Sequence, residues 1–329
     1  MKKSFISALS VYVSTGVQIV FAFLASVYII SYLSVEDYGA YKLIASIITV
    51  AAFLTSFGLE NTLGRFVPEY LSKDNYRNVN RLLLLTLAVR ITIIFIFIGI
   101  LVIFKNPIFS FLNLPDILMT WLAVICILIF IARTKSLFGK QLLASYIELY
   151  LDELNVIFVS IIRFILFVLV VVNNWGLKGL ILSLLTVEIL SFIYLLILAI
   201  KKYIYNRNKY ASSKASLRYK RITRFSFYSF LATTTGVFRE IMIDNFVISH
   251  YLGASMVGLY SFAAVLIGIP RQLNPMSILR GVFNPLLVRT YYAASGDKNI
   301  MIFFYIFFNK LFFLFQFPCL LVWVSSVKK

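Results

Sequence analysis

Six ionisable residues stand inside long apolar runs: Arg163, Glu188, Arg239, Glu240, Asp244 and Arg271. Near a bilayer centre a charge costs roughly 2.5–3.5 kcal/mol on insertion scales, so each of them needs a partner or a ligand. Arginine suits an anion, because its planar guanidinium can hold a phosphate with two parallel N–H bonds. Arg239 is the foremost candidate for such a contact. Glu240 and Asp244 are four residues apart and share a helix face, where two carboxylates can bind a cation or share a proton. Neutralisation by Arg239 or Arg271 is the plainer alternative. Arg163 and Glu188 each lie about ten residues from the turn at 173–177, and therefore at similar depth. That spacing fits a structural ion pair, or an Arg163 that faces a cavity. Arg271 stands between Pro270 and Pro275 beside Asn274. Prolines free carbonyls and break helices, and broken helices with polar residues at depth mark ligand pathways; a hinge fits the same residues. Arg65 and Arg90 sit nearer the ends of their runs. There is no phosphate-cradling glycine loop, no metal cluster and no nucleophile–base pair in the sequence.

The elements that carry these residues follow from composition. Apolar residues make up 61% of 329 positions and charged residues 13%, with mean hydropathy +0.93. Soluble domains carry about 45–50% apolar and about 25% charged residues, so the bilayer has to serve as solvent. Apolar runs of about twenty residues imply helices rather than the strands of a barrel. The expected fold class is all-α, a polytopic transmembrane bundle. Nine spans are expected, near 5–30, 41–64, 82–104, 117–138, 154–173, 177–200, 225–250, 256–279 and 301–324. The first is read as a retained span, because it is longer than a signal peptide's apolar region. Cys126 and Cys319 lie in apolar runs, and His250 is the single histidine, which leaves neither a disulfide framework nor a zinc cluster.

The net charge of +18 sits in short loops, which is the pattern of orientation signals rather than of a nucleic-acid groove. Alternate loops carry Lys2 and Lys3; then Arg65, Lys73, Arg77 and Arg81; then Arg133, Lys135 and Lys140; then the basic stretch 201–224. This places the N-terminus in the cytoplasm and reads 201–224 as a flexible cytoplasmic linker. A shift of 219 residues pairs Ser7 with Ser226, Ser10 with Ser229, Tyr32 with Tyr251, Gly39 with Gly258 and Tyr41 with Tyr260. It implies a parallel repeat of six-helix units: a first unit at 1–200, the linker at 201–224 and a partial second unit at 225–329. Only three spans fall in the second unit, so the sequence reads as lacking a C-terminal part. Ser7, Ser10, Ser14 and Gln18 form a small polar stripe, repeated at Ser226, Ser229 and Thr233. Close helix packing is favoured for it over a cavity lining.

The stretches Leu33-Ser34-Val35-Glu36-Asp37-Tyr38-Gly39-Ala40-Tyr41 and Phe57-Gly58-Leu59-Glu60-Asn61-Thr62-Leu63-Gly64-Arg65-Phe66 resemble the start of bacterial O-antigen-type polysaccharide flippases. Those proteins belong to the multidrug/oligosaccharidyl-lipid/polysaccharide exporter superfamily. Tyr251-Leu252-Gly253-Ala254 and Val257-Gly258-Leu259-Tyr260-Ser261-Phe262-Ala263 resemble the family's equivalent stretch in its second half. The resemblance implies translocation of a polyprenyl-diphosphate-linked oligosaccharide across a bacterial cytoplasmic membrane by alternating access, without covalent chemistry. Arg239, Arg271, Arg163 and Arg65 are then the substrate-binding candidates. Glu240, Asp244 and Glu188 are the candidates for a coupling H+ or Na+, with no other cofactor. The implied partners are membrane lipid, the lipid-linked cargo and polysaccharide assembly proteins, with no nucleic acid. Two other functions compete. A membrane glycosyltransferase or polymerase could use Glu36-Asp37 in an outer loop, but the outer loops are short. A multidrug or cation antiporter would want an acidic pocket, and the buried arginines favour an anionic cargo.

Overall fold

The computed structural model describes residues 2–209, 217–237 and 241–272, and every element among them is a helix. In order they are α1 (Lys2–Tyr32), α2 (Val35–Leu54), α3 (Leu59–Leu71), α4 (Tyr76–Ile103), α5 (Lys105–Phe111), α6 (Asp116–Thr120), α7 (Leu122–Phe138), α8 (Lys140–Ser145), α9 (Leu149–Val172), α10 (Gly176–Asn208), α11 (Tyr219–Val237) and α12 (Ile241–Gln272). Among the described residues, seven stretches are long and apolar enough to cross a membrane. In hydrocarbon only internally bonded backbone is tolerated, and hydroxyls follow the same rule. Thr15, Ser46, Thr49, Thr55 and Thr86 each donate to the carbonyl four residues back. The outer surface is apolar at Phe95, Ile96, Phe158 and Val172, where lipid tails replace water. The chain is a polytopic, all-α membrane bundle.

The expected span at 41–64 is corrected. Its apolar text runs unbroken, but α2 stops at Leu54, and Phe57 and Gly58 adopt positive φ of 43° and 66° before α3 starts. Thr55 turns its hydroxyl back on the Ala51 carbonyl, and the Ser226 hydroxyl of α11 bonds the Phe57 carbonyl at 2.5 Å. These bonds satisfy backbone groups that the break releases. The stretch 201–224 is corrected too: α10 continues to Asn208 and α11 begins at Tyr219, so both ends of the supposed loop are helical. The expected spans at 225–250 and 256–279 meet at Gly253, whose φ of 82° and ψ of 176° break α12. The ninth span, 301–324, lies outside the described residues.

α12 packs along α2 through two glycines. A Cβ on Gly39 would lie 1.8 Å from the Ala254 carbonyl oxygen, and one on Gly258 would lie 2.5 Å from that of Val35. The two contacts are mutual in the 219-residue register, since Val35 matches Ala254 and Gly39 matches Gly258. Each residue meets the counterpart of its neighbour, as contacts across a two-fold do. The polar stripe is shared out between packing and lining. Ser7 and Ser14 are buried, with Ser14 bonded to Glu153 of α9. Asn61 donates to Ser229 at 2.7 Å, and Thr233 borders a cavity.

Candidate functional site

That cavity, about 360 Å³, opens where α2 and α3 face α11 and α12, and its lining includes Phe53, Ser56, Glu60, Asn61 and Thr233. The break before α3 decides what is displayed there. It sets Glu60 at the second position of α3, opposite Arg90 in the middle of α4 and Arg133 on α7. Arg90 Nη2 lies 2.6 Å and Arg133 Nη2 2.9 Å from Glu60 Oε1, and the Ser136 hydroxyl donates to the same oxygen at 3.0 Å. Arg133 also donates to Ser136 at 3.1 Å, and Arg90 Nη2 reaches the Ser56 carbonyl at 3.4 Å.

Arg90 is 0% exposed and Glu60 21%. Two guanidinium groups share one carboxylate, so the cluster keeps one positive charge in excess. The Arg90 Nε and Nη1 and the Arg133 Nε are buried without a hydrogen-bond partner. A buried donor left without a partner costs about 1–3 kcal/mol, which a further anionic oxygen would recover; of this cluster, Glu60 is the residue that lines the cavity.

A second cluster joins α7, α9 and α10. Arg163 stands 3.7 Å from Glu188, so the structure brings together the two residues that spacing placed at one depth. Glu188 also pairs with Lys135, whose ammonium donates to Ser191 at 3.3 Å, while Asn155 donates to the same hydroxyl at 2.9 Å. Lys135 and Arg133 serve as loop signals in the sequence reading. In the structure both belong to α7 and reach inward on their long stems.

The other expected site residues fall elsewhere. Arg65 is exposed in the middle of α3, with its guanidinium over Phe225 at 4.5 Å and Phe66 at 5.7 Å. Asp244 is exposed and accepts the Tyr260 hydroxyl at 2.5 Å. Arg271 belongs to the last turn of α12. Arg239 and Glu240 lie outside the described residues. Sequence reasoning passed over Glu60, Arg90 and Arg133 as site residues, and also Glu153, which is buried against Ser14. The available signal was a carboxylate at the rim of one apolar run together with two arginines in others: Arg90, which was expected near the end of its run but stands in the middle of α4, and Arg133 toward the end of α7.

A family described as "Polysaccharide biosynthesis protein" matches residues 2–291. No curated protein matches the chain. Among solved structures, a mutant form of the Vibrio cholerae MATE transporter VcmN superposes with TM-score 0.66 at 10% identity, covering 91% of this chain and 68% of that one. A MATE protein in complex with MaD3S superposes with TM-score 0.58 at 13% identity, covering 95% of this chain and 75% of that one. At such identities the likeness concerns the fold.

Proposed function

Because the chain belongs to the polysaccharide biosynthesis protein family, we propose that it moves a polyprenyl-diphosphate-linked oligosaccharide across the bacterial cytoplasmic membrane. The observation that carries this reading is the convergence of Arg90, Arg133 and Ser136 on one carboxylate oxygen beside the cavity, with guanidinium donors to spare. A diphosphate head needs cations inside the membrane, and these are fixed and buried behind Glu60, the member of the cluster that lines the space between the helices. The sugar follows the phosphate and needs no covalent step.

The six-helix unit drawn at 1–200 and the partial second unit drawn from 225 onward would rock about the α2–α12 contact to expose the cavity to either side in turn. In this scheme Glu188, Asp244 and Glu240 remain the carboxylates assigned to a coupling proton or sodium ion. Arg163, Arg65, Arg239 and Arg271 remain assigned to guiding the anionic head.

The test is export of lipid-linked oligosaccharide in a strain lacking its own flippase. The wild-type chain, Arg133→Gln, Arg90→Gln and the conservative Arg133→Lys are compared at equal membrane abundance. Each neutral substitution should cut export at least about tenfold, the value of one charge-assisted bond, and Arg133→Lys should restore part of it. Full export by Arg133→Gln and Arg90→Gln alike would remove the cluster from the cargo path.

A further inference from the structure

Glu60 offers one oxygen to three donors. The two guanidinium groups and the Ser136 hydroxyl meet at Oε1 within 2.6–3.0 Å, as donors gather around a single anionic oxygen of a phosphate. The cradle also holds more than one carboxylate oxygen can use, because Arg90 Nε and Nη1 and Arg133 Nε stay unbonded.

The partners differ in how firmly they are held. Arg90 springs from the middle of a 28-residue helix and is fully buried. Glu60 stands two residues after Gly58, at the joint where the helical ladder is already interrupted, and it borders the cavity. A rotamer change at Glu60, or a small swing of the first turn of α3, carries the carboxylate into the cavity and leaves the cradle in place.

We propose that Glu60 is an internal stand-in for the cargo's phosphate: its carboxylate fills the Arg90–Arg133–Ser136 cradle when no cargo is present, and a phosphate oxygen displaces it on binding. This rests on the reading of the cradle as the anion site. Charge and geometry make the exchange selective. A diphosphate can engage both guanidinium groups bidentately and reach the spare donors, whereas a neutral sugar cannot compete with a carboxylate already in place. The return of Glu60 to the cradle then expels the phosphate, so the site binds anions without trapping them.

The exchange is tested on the full chain in detergent, titrating inorganic pyrophosphate at low salt by calorimetry. Glu60→Gln keeps the side-chain shape and removes the competing charge. It should bind pyrophosphate at least about tenfold more tightly than wild type, equivalent to about 1.4 kcal/mol. Arg133→Gln should abolish binding alone and when combined with Glu60→Gln, with a retained melting transition as the check on folding. Binding by Glu60→Gln that is equal to or weaker than wild type, still lost with Arg133→Gln, overturns displacement while keeping the cradle as an anion site. No binding by folded wild type and folded Glu60→Gln, or binding that survives Arg133→Gln, overturns both.

Discussion

Arg90, Arg133 and Glu60 owe their chemistry to burial, and a pair outside the membrane-crossing helices shows the same physics in a form that pH can test. Glu69, 2% exposed on α3, takes two bonds from Arg221 of α11, at 2.7 and 3.0 Å, and pairs with Lys73 at 3.2 Å. Burial pushes its carboxyl up, but the Arg221 and Lys73 contacts outweigh that and hold it below the ordinary 4.5. A depressed carboxyl stabilises the fold above the unfolded value and loses that contribution as pH falls through the folded one. Glu69→Gln should therefore lower the melting temperature at pH 7, and the gap from wild type should close below about pH 4.5. A gap that persists unchanged at low pH would assign the loss to packing rather than charge. At this scale the sequence is legible only in part. Spacing is enough to pair Arg163 with Glu188, because a shared turn sets both depths. Arg133 and Lys135 are indistinguishable in the text from loop cations, since a long stem near a helix end can point toward water or inward.

At the scale of the element, the joint between α2 and α3 matters most, and Gly58 is its pivot. Its φ of 66° suits glycine, and a Cβ there would lie 2.3 Å from the Ser226 carbonyl oxygen and crowd Ser229. Gly58→Ala should cost roughly 1–2 kcal/mol from the left-handed backbone alone, and more from the clash with α11. The checks are a lower melting temperature and tighter pyrophosphate binding, because Glu60 follows two residues on and a displaced first turn of α3 withdraws its carboxylate from the Arg90–Arg133 cradle. Gly16 has open space around its Cβ position, so Gly16→Ala serves as the control and should leave both readouts unchanged. Hydropathy carries the reading through this joint without a pause, because Phe57 and Leu59 on either side of Gly58 are as apolar as the helix interior. The α2–α12 contact is more legible: Gly39 and Gly258 match in the 219-residue register. The text cannot say that they also touch each other's turns.

At the scale of the whole molecule, the chain is a multi-pass membrane protein, and its orientation is open to a direct measurement. Lys201 is exposed on α10 in the basic stretch read as cytoplasmic. In a Cys126→Ser, Cys319→Ser background, Lys201→Cys should react with a membrane-impermeant maleimide only after the cells are permeabilised. Labelling of intact cells would invert the topology. Composition and run length by themselves determined that the protein is an all-helical membrane bundle, because 61% apolar residues in twenty-residue runs have no other stable home. Local motifs already carried the resemblance to polysaccharide exporters, and spacing the Arg163–Glu188 pair. Only the tertiary structure decided that Glu60, Arg90 and Arg133 meet. They come from three helices, and their meeting depends on a backbone break and on packing directions that hydropathy does not record.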